Sequence, residues 1–217
     1  MTRKRLTREE SRDQTRQRLL ESAQKLIASK GLAASSVEDI TEAAGYTRGA
    51  FYSNFDSKND LFIELLRNDH QKAVDEMAGL MGQPLPPEEL RQRIREMYAR
   101  MYRDNECFMN WTEARMLAAR DAQFQVKLSA LLVEKRGQVA TIISHFYQLA
   151  GATPPTSPEV MAMGFMSLVE GVKLFMLSSP NDMNMDEAET ILTLFVDSIM
   201  ELAIIKSQPA LYPPPKL

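Results

Sequence analysis

Between Ser36 and Lys58 the chain gathers hydroxyls, an arginine, a glycine, an amide and a lysine whose chemistry suits a nucleic-acid duplex. Arg48 carries a planar guanidinium that matches the two acceptors on a guanine edge, and Gly49 beside it lets the main chain approach without an intervening side chain. Thr47 and Tyr52 bring hydroxyls suited to phosphate oxygens, and Lys58 adds a point charge at the positive end of a helix. With Ser36 and Asn54 these residues form the candidate DNA-binding set.

The elements that would position them are written in the same stretch. Ser36 followed by Asp39 is a capping box in which Asp replaces the usual Glu or Gln, and it predicts a short helix with Val37, Ile40, Ala43 and Ala44 on one apolar face. Gly45 can take the left-handed conformation of a helix C-terminus, and Thr47 two residues later is a fresh N-cap. Two helices joined by so short a turn have helix-turn-helix geometry. In the second, from about Arg48 to Ser53, the large apolar Phe51 and Phe55 dock the helix inward, leaving Arg48, Gly49, Tyr52 and Asn54 outside. The bland alternative, a surface turn with scattered polar residues, has to treat the agreement of caps, glycines, aromatic anchors and positive charge as coincidence.

Residues 12 to 66 resemble the DNA-binding domain of TetR-family transcriptional repressors, nearest the AcrR-like branch. The resemblance rests on AGYTRGAFYSNFDSK at 44–58, VEDI at 37–40 and KGL at 30–32. It departs from many members at Ser35-Ser36, Tyr46, Ser53 and Asn54. It covers about the first quarter of the chain. It implies an all-α protein: a three-helix DNA-binding domain, then a larger helical domain that binds a small effector and forms a homodimer. The expected boundaries are 1–58 for the DNA-binding domain with its basic arm, 59–206 for the effector and dimerisation domain, and 207–217 for a proline-rich, irregular tail.

Composition agrees with a two-part globular chain. The 217 residues are 44% hydrophobic and 25% charged. The net charge of −3 argues against a DNA partner only until its distribution is read. Residues 1–60 carry 11 Lys or Arg against 9 acids, and residues 1–18 carry seven basic residues against three acids. Such an arm can follow phosphates or enter the minor groove, although residues 1–10 fit a solvated tail equally well. No uninterrupted apolar run reaches the roughly 18 residues of a membrane span, the N-terminus is charged, and the single Cys107 excludes an internal disulfide. A cytoplasmic protein with no membrane partner is expected.

Helical periodicity continues through the chain. The first helix is expected from about Gln14 to Ser29, stopped by Gly31. A fourth should start near Lys58 and continue about six turns to Leu80, long enough at about 1.5 Å per residue to bridge two domains. Further helices are marked by Leu90 to Met101, Phe108 to Ala119, Leu128 to Phe146, Ser157 to Leu177 and Asp186 to Ile205. His70 and His145 lie far apart, with no metal-ligand spacing, glycine-rich phosphate loop or nucleophile elbow. No enzyme, metal site or cofactor is expected.

Methionine stands out instead: 11 of the 14 fall between Met97 and Met200, interleaved with aromatics. Flexible, polarisable thioethers suit a cavity that accepts apolar molecules of several shapes, although any single Met or Phe there fits an ordinary core better. The candidate effector-binding residues are Met101, Phe108, Trp111, Met116, Phe124, Phe146 and Phe165, and the expected effector is apolar or aromatic. The expected function is repression from a palindromic double-stranded operator, relieved by that effector. Two other classes stay open: a ligand-independent DNA-binding regulator or activator, and an all-helical enzyme or carrier with an adventitious helix-turn-helix.

Overall fold

The computed structural model describes residues 7–83, 85–149 and 151–207, and every structural statement below concerns these residues. Among them the chain is all-α, with nine helices. They are α1 (Arg8–Ala34), α2 (Val37–Ala44), α3 (Arg48–Tyr52), α4 (Lys58–Met81), α5 (Pro87–Arg103), α6 (Asn105–Ala118), α7 (Ala122–Leu149), α8 (Pro158–Ser178) and α9 (Met185–Ser207).

Helix α1 begins earlier than its apolar face predicts. Thr7 caps it, its hydroxyl accepting from the Glu10 amide at 3.1 Å while the Glu10 carboxylate accepts from Thr7 N–H at 2.7 Å. This capping box draws Arg8, Arg12, Arg16 and Arg18 into the helix, so only Arg3, Lys4 and Arg5 of the expected arm lie outside the described residues. Gly31 breaks the helix where the sequence expects it to stop. Its backbone leaves helical geometry at φ +82°, a conformation open to glycine and strained for residues with a Cβ, and a short helical segment follows to Ala34.

Two compact units are present. The first combines Met1–Leu85 with Arg100–Leu131, and the second combines Pro86–Ala99 with Leu132–Leu217. In the first, Leu19, Ala23 and Ile27 of α1, Ile40 and Ala44 of α2, Phe51 of α3, and Leu61, Phe62, Leu65 and Leu66 of α4 are buried. Helix α6 packs on α1, and Phe124 near the start of α7 stacks on Phe62 with ring centroids 5.9 Å apart.

In the second unit α8 packs on α9, and Phe165 stacks on Phe195 at 6.2 Å. Arg95 of α5 donates to both carboxylate oxygens of Asp197 on α9, at 2.8 and 2.7 Å. Helix α8 is long and apolar enough to cross a membrane by length and composition alone. It is not an unbroken apolar run, since Glu170 and the buried Lys173 stand among its apolar residues. The tail expected to be irregular lies outside the described residues from position 208.

Candidate nucleic-acid interface

The turn between α2 and α3 is built by hydrogen bonds that the sequence announces. Ser36 Oγ accepts from Asp39 N–H at 3.0 Å, and the Asp39 carboxylate accepts from Ser36 N–H at 2.9 Å and from Lys30 Nζ at 2.8 Å. The Lys30 partner, followed by the Ser36 donors, holds the Asp39 carboxyl near a pKa of about 2, below its ordinary 3.8. At the other end of α2, Gly45 is left-handed with φ +74°. Tyr46 N–H donates to Thr41 O at 2.8 Å and Gly45 N–H to Glu42 O at 3.0 Å, the paired bonds of a Schellman motif. Thr47 then starts α3, its hydroxyl accepting from Ala50 N–H at 3.3 Å. Such a cap contributes about 1 kcal/mol and fixes where the next side chain points.

Helix α3 therefore has a fixed inside and outside. Phe51 is fully buried, Phe55 nearly so, and their ring centroids are 5.6 Å apart. Thr47, Arg48, Gly49 and Tyr52 are exposed. Arg48 Nη1 donates to Glu38 Oε1 at 2.6 Å, and its guanidinium carbon lies 5.5 Å from the centre of the Tyr52 ring. Hydrogen bonding to Tyr52, then the charge of Glu38, pushes the guanidinium pKa further up. Glu38 is missing from the candidate set because ten residues and a helix boundary separate it from Arg48.

Asn54 departs from its expected outward position. It is half-buried, its Nδ2 donating to Ala50 O at 2.8 Å and so closing the end of α3. Two arginines read as part of the basic arm also turn out to be internal supports. Arg12 Nη2 donates to Ser53 O at 3.4 Å, and Arg16 donates to Asn54 O and to both oxygens of Glu64 on α4. The Arg16 guanidinium lies 4.3 Å from the centre of the Phe55 ring. Together α1, the α3–α4 turn and α4 are tied at one side chain.

Ser57 caps α4, accepting from Asp60 N–H at 3.1 Å. Lys58 follows, but its ammonium is not a loose surface charge. It donates to Leu32 O at 2.6 Å and Ser35 O at 2.8 Å, and partial burial lowers its pKa. The amide of the same Leu32 donates to Glu113 Oε1 on α6 at 2.9 Å. One peptide residue just ahead of α2 is thus gripped by α4 and α6. Asn110, buried on the same helix, donates to Gln24 O at 3.2 Å.

This geometry, with a capped α2, a left-handed turn and a short helix anchored by aromatics and exposed at its polar face, is that of a DNA-reading helix-turn-helix. Residues 19–65 match the family model for bacterial regulatory proteins of the tetR family. A TetR-family protein from Rhodococcus sp. superposes with a TM-score of 0.73 at 21% identity, covering 87% of this chain and 99% of its own. Residues 19–65 thus carry a TetR-type DNA-binding segment, and the chain shares the fold of TetR-family proteins.

Among curated TetR-type relatives, the transcriptional regulator AcrR of Shigella flexneri is 36% identical over 85 residues, 37% of this chain and 39% of AcrR. The match therefore spans about two-fifths of that relative's length. The regulator FadR of Bacillus subtilis, solved in complex with stearoyl-CoA, shares the fold with a TM-score of 0.67 at 15% identity, covering 87% of this chain and 97% of FadR.

The effector candidates fall in both compact units of the TetR-type fold. Phe108, Trp111, Met116 and Phe124 lie in the first, Phe146 and Phe165 in the second. Trp111 is buried, Phe108 half-buried and Met116 exposed, while Phe124 is covered by its stack on Phe62. Phe165 is buried and stacked on Phe195, and Phe146 is half-buried beside His145 at 6.3 Å. The Met101 side chain lies outside the described residues.

Proposed function

We propose that the protein is a cytoplasmic, homodimeric transcriptional repressor that binds a near-palindromic operator through α3 and leaves it when a small apolar or aromatic effector binds. The observation that carries this reading is the two-sidedness of α3: Phe51 and Phe55 lock its inner face, so Arg48, Gly49 and Tyr52 stand exposed on a helix that cannot rotate. In this reading Arg48 meets a guanine edge and Gly49 lets the backbone come close. Thr47, Tyr52 and Ser36 meet phosphates, Asn54 holds the end of α3 beside them, and Lys58 offers its third N–H to a phosphate.

Dimerisation is assigned to α8 and α9. Phe175 is 65% exposed, Leu194 62% and Leu174 52%, apolar area that a second copy would cover in a four-helix arrangement across a two-fold axis. A two-fold dimer requires half-sites about one helical turn apart or a small multiple. An apolar effector fits the methionine and aromatic content of 97–200, and the stearoyl-CoA held by FadR supports that class.

The test is selection of bound duplexes from a random-sequence pool, followed by titration at several salt concentrations. The expected result is a palindromic consensus, with Arg48→Ala costing about 1–3 kcal/mol and losing preference at one position per half-site. Equal loss on selected and random duplexes would remove Arg48 as a base reader.

A further inference from the structure

Arg48 does not reach outward alone. Its Nη1 is 2.6 Å from Glu38 Oε1, and its guanidinium faces the Tyr52 ring at 5.5 Å. The pair joins two helices, so its geometry depends on the Gly45 turn that sets α3 against α2. The Arg48 side chain is 64% exposed and that of Glu38 57%, so the pair stands where a duplex would dock. A carboxylate there repels phosphates and weakens the attraction that any duplex exerts on the reading head.

Guanidinium has five N–H donors in a rigid plane, and Glu38 engages one. Tyr52 takes part of the remainder, and the donors that neither residue engages are held in a plane fixed by a carboxylate on one side and an aromatic side chain on the other. A lone phosphate has to compete with Glu38 for the charge, whereas a guanine offers O6 and N7 to the free donors while the ion pair stays intact.

We propose that Glu38 is a specificity-determining residue: it cancels the Arg48 charge toward phosphate and holds the guanidinium in the orientation that reads guanine. This rests on Arg48 being the base reader. Both residues lie on the surface, so their replacement leaves the core untouched.

The experiment compares the wild-type chain with Glu38→Ala, Glu38→Gln and Arg48→Ala, each taken through selection from a random-sequence duplex pool and through titration of random duplex against salt. Glu38→Ala is expected to bind random duplex about tenfold more tightly at 0.1 M salt, with a salt dependence steeper by about one. It should also lose preference at the same position that Arg48→Ala loses. Glu38→Gln, which keeps an acceptor without the charge, should gain the same random-duplex affinity and retain part of that preference. If Glu38→Ala keeps full preference where Arg48→Ala loses it, or loses a different position, Glu38 does not orient Arg48 and this inference falls while the reading of Arg48 stands. If Arg48→Ala loses no position at all, the base-reader assignment itself falls.

Discussion

The ammonium of Lys58 lies 2.6 Å from the carbonyl oxygen of Leu32, so the first residue of α4 holds the last turn of α1 just ahead of α2. A second bond to Ser35 O at 2.8 Å doubles the tie. Of the three ammonium protons, one is left for a phosphate. Lys58→Met should therefore do two separable things. Chemical denaturation should show a loss of about 1.5–3 kcal/mol, the range for hydrogen bonds to a charged group. Salt titration of DNA binding should show a slope lower by about one. A stability loss with an unchanged slope would make Lys58 purely internal.

Asp39 gives the reading head an acid limit. Its folded pKa of about 2 lies below the ordinary 3.8, so its contribution is fully present above about pH 4 and is lost as pH falls toward 2. Denaturation midpoints across that window should fall for the wild type and fall less steeply for Asp39→Asn. Equal slopes for the two would assign the acid sensitivity to other carboxylates.

The dimer model is tested on α8. Phe175→Glu places a charge on the apolar face while sparing the buried Phe165 and Val172 on the same helix. Sedimentation should show a dimer for the wild type and a monomer for the variant at micromolar concentration, with helical content unchanged. A wild-type monomer at that concentration ends the model.

Effector coupling can be read from Trp111, the single tryptophan. It lies on α6 between Asn110, which donates to Gln24 O, and Glu113, which accepts from Leu32 N–H. Apolar aromatic compounds that quench its fluorescence saturably should lower operator affinity by about 5- to 150-fold, and operator must lower their affinity by the same factor. Quenching indifferent to operator would separate the ligand site from the reading head.

The reading head was legible because its turns are made by local chemistry. Ser36 with Asp39, Gly45, Thr47 and Ser57 act within a few residues of themselves, and each does in the structure what its type and spacing imply. Thr7 with Glu10 carries the same kind of signal, but it stands ahead of the apolar periodicity of α1. What the sequence hides are partners distant along the chain. Glu113 meets Leu32 across 81 positions, and Arg16 meets Glu64 across 48. Lys58 is hidden for another reason: its acceptors are main-chain carbonyls, which leave no mark in residue identity. Residue type alone marks the effector candidates, and type cannot distinguish a Phe124 stacked on Phe62 from an aromatic that lines a cavity.

The grip of Glu113 on Leu32 bears on how such proteins can be recombined. A chimera that joins residues 1–58 to another sensor leaves the Leu32 amide without its acceptor. Moving the junction to the end of α4 still strips Phe62 of Phe124, while Asp60 loses its ion pair with Lys127. The transplantable unit is discontinuous, α1–α4 together with α6 and the opening turns of α7. Position 31 would travel with it as a glycine, since a Cβ there would stand 3.2 Å from Glu113 Oε1 on a backbone already at φ +82°.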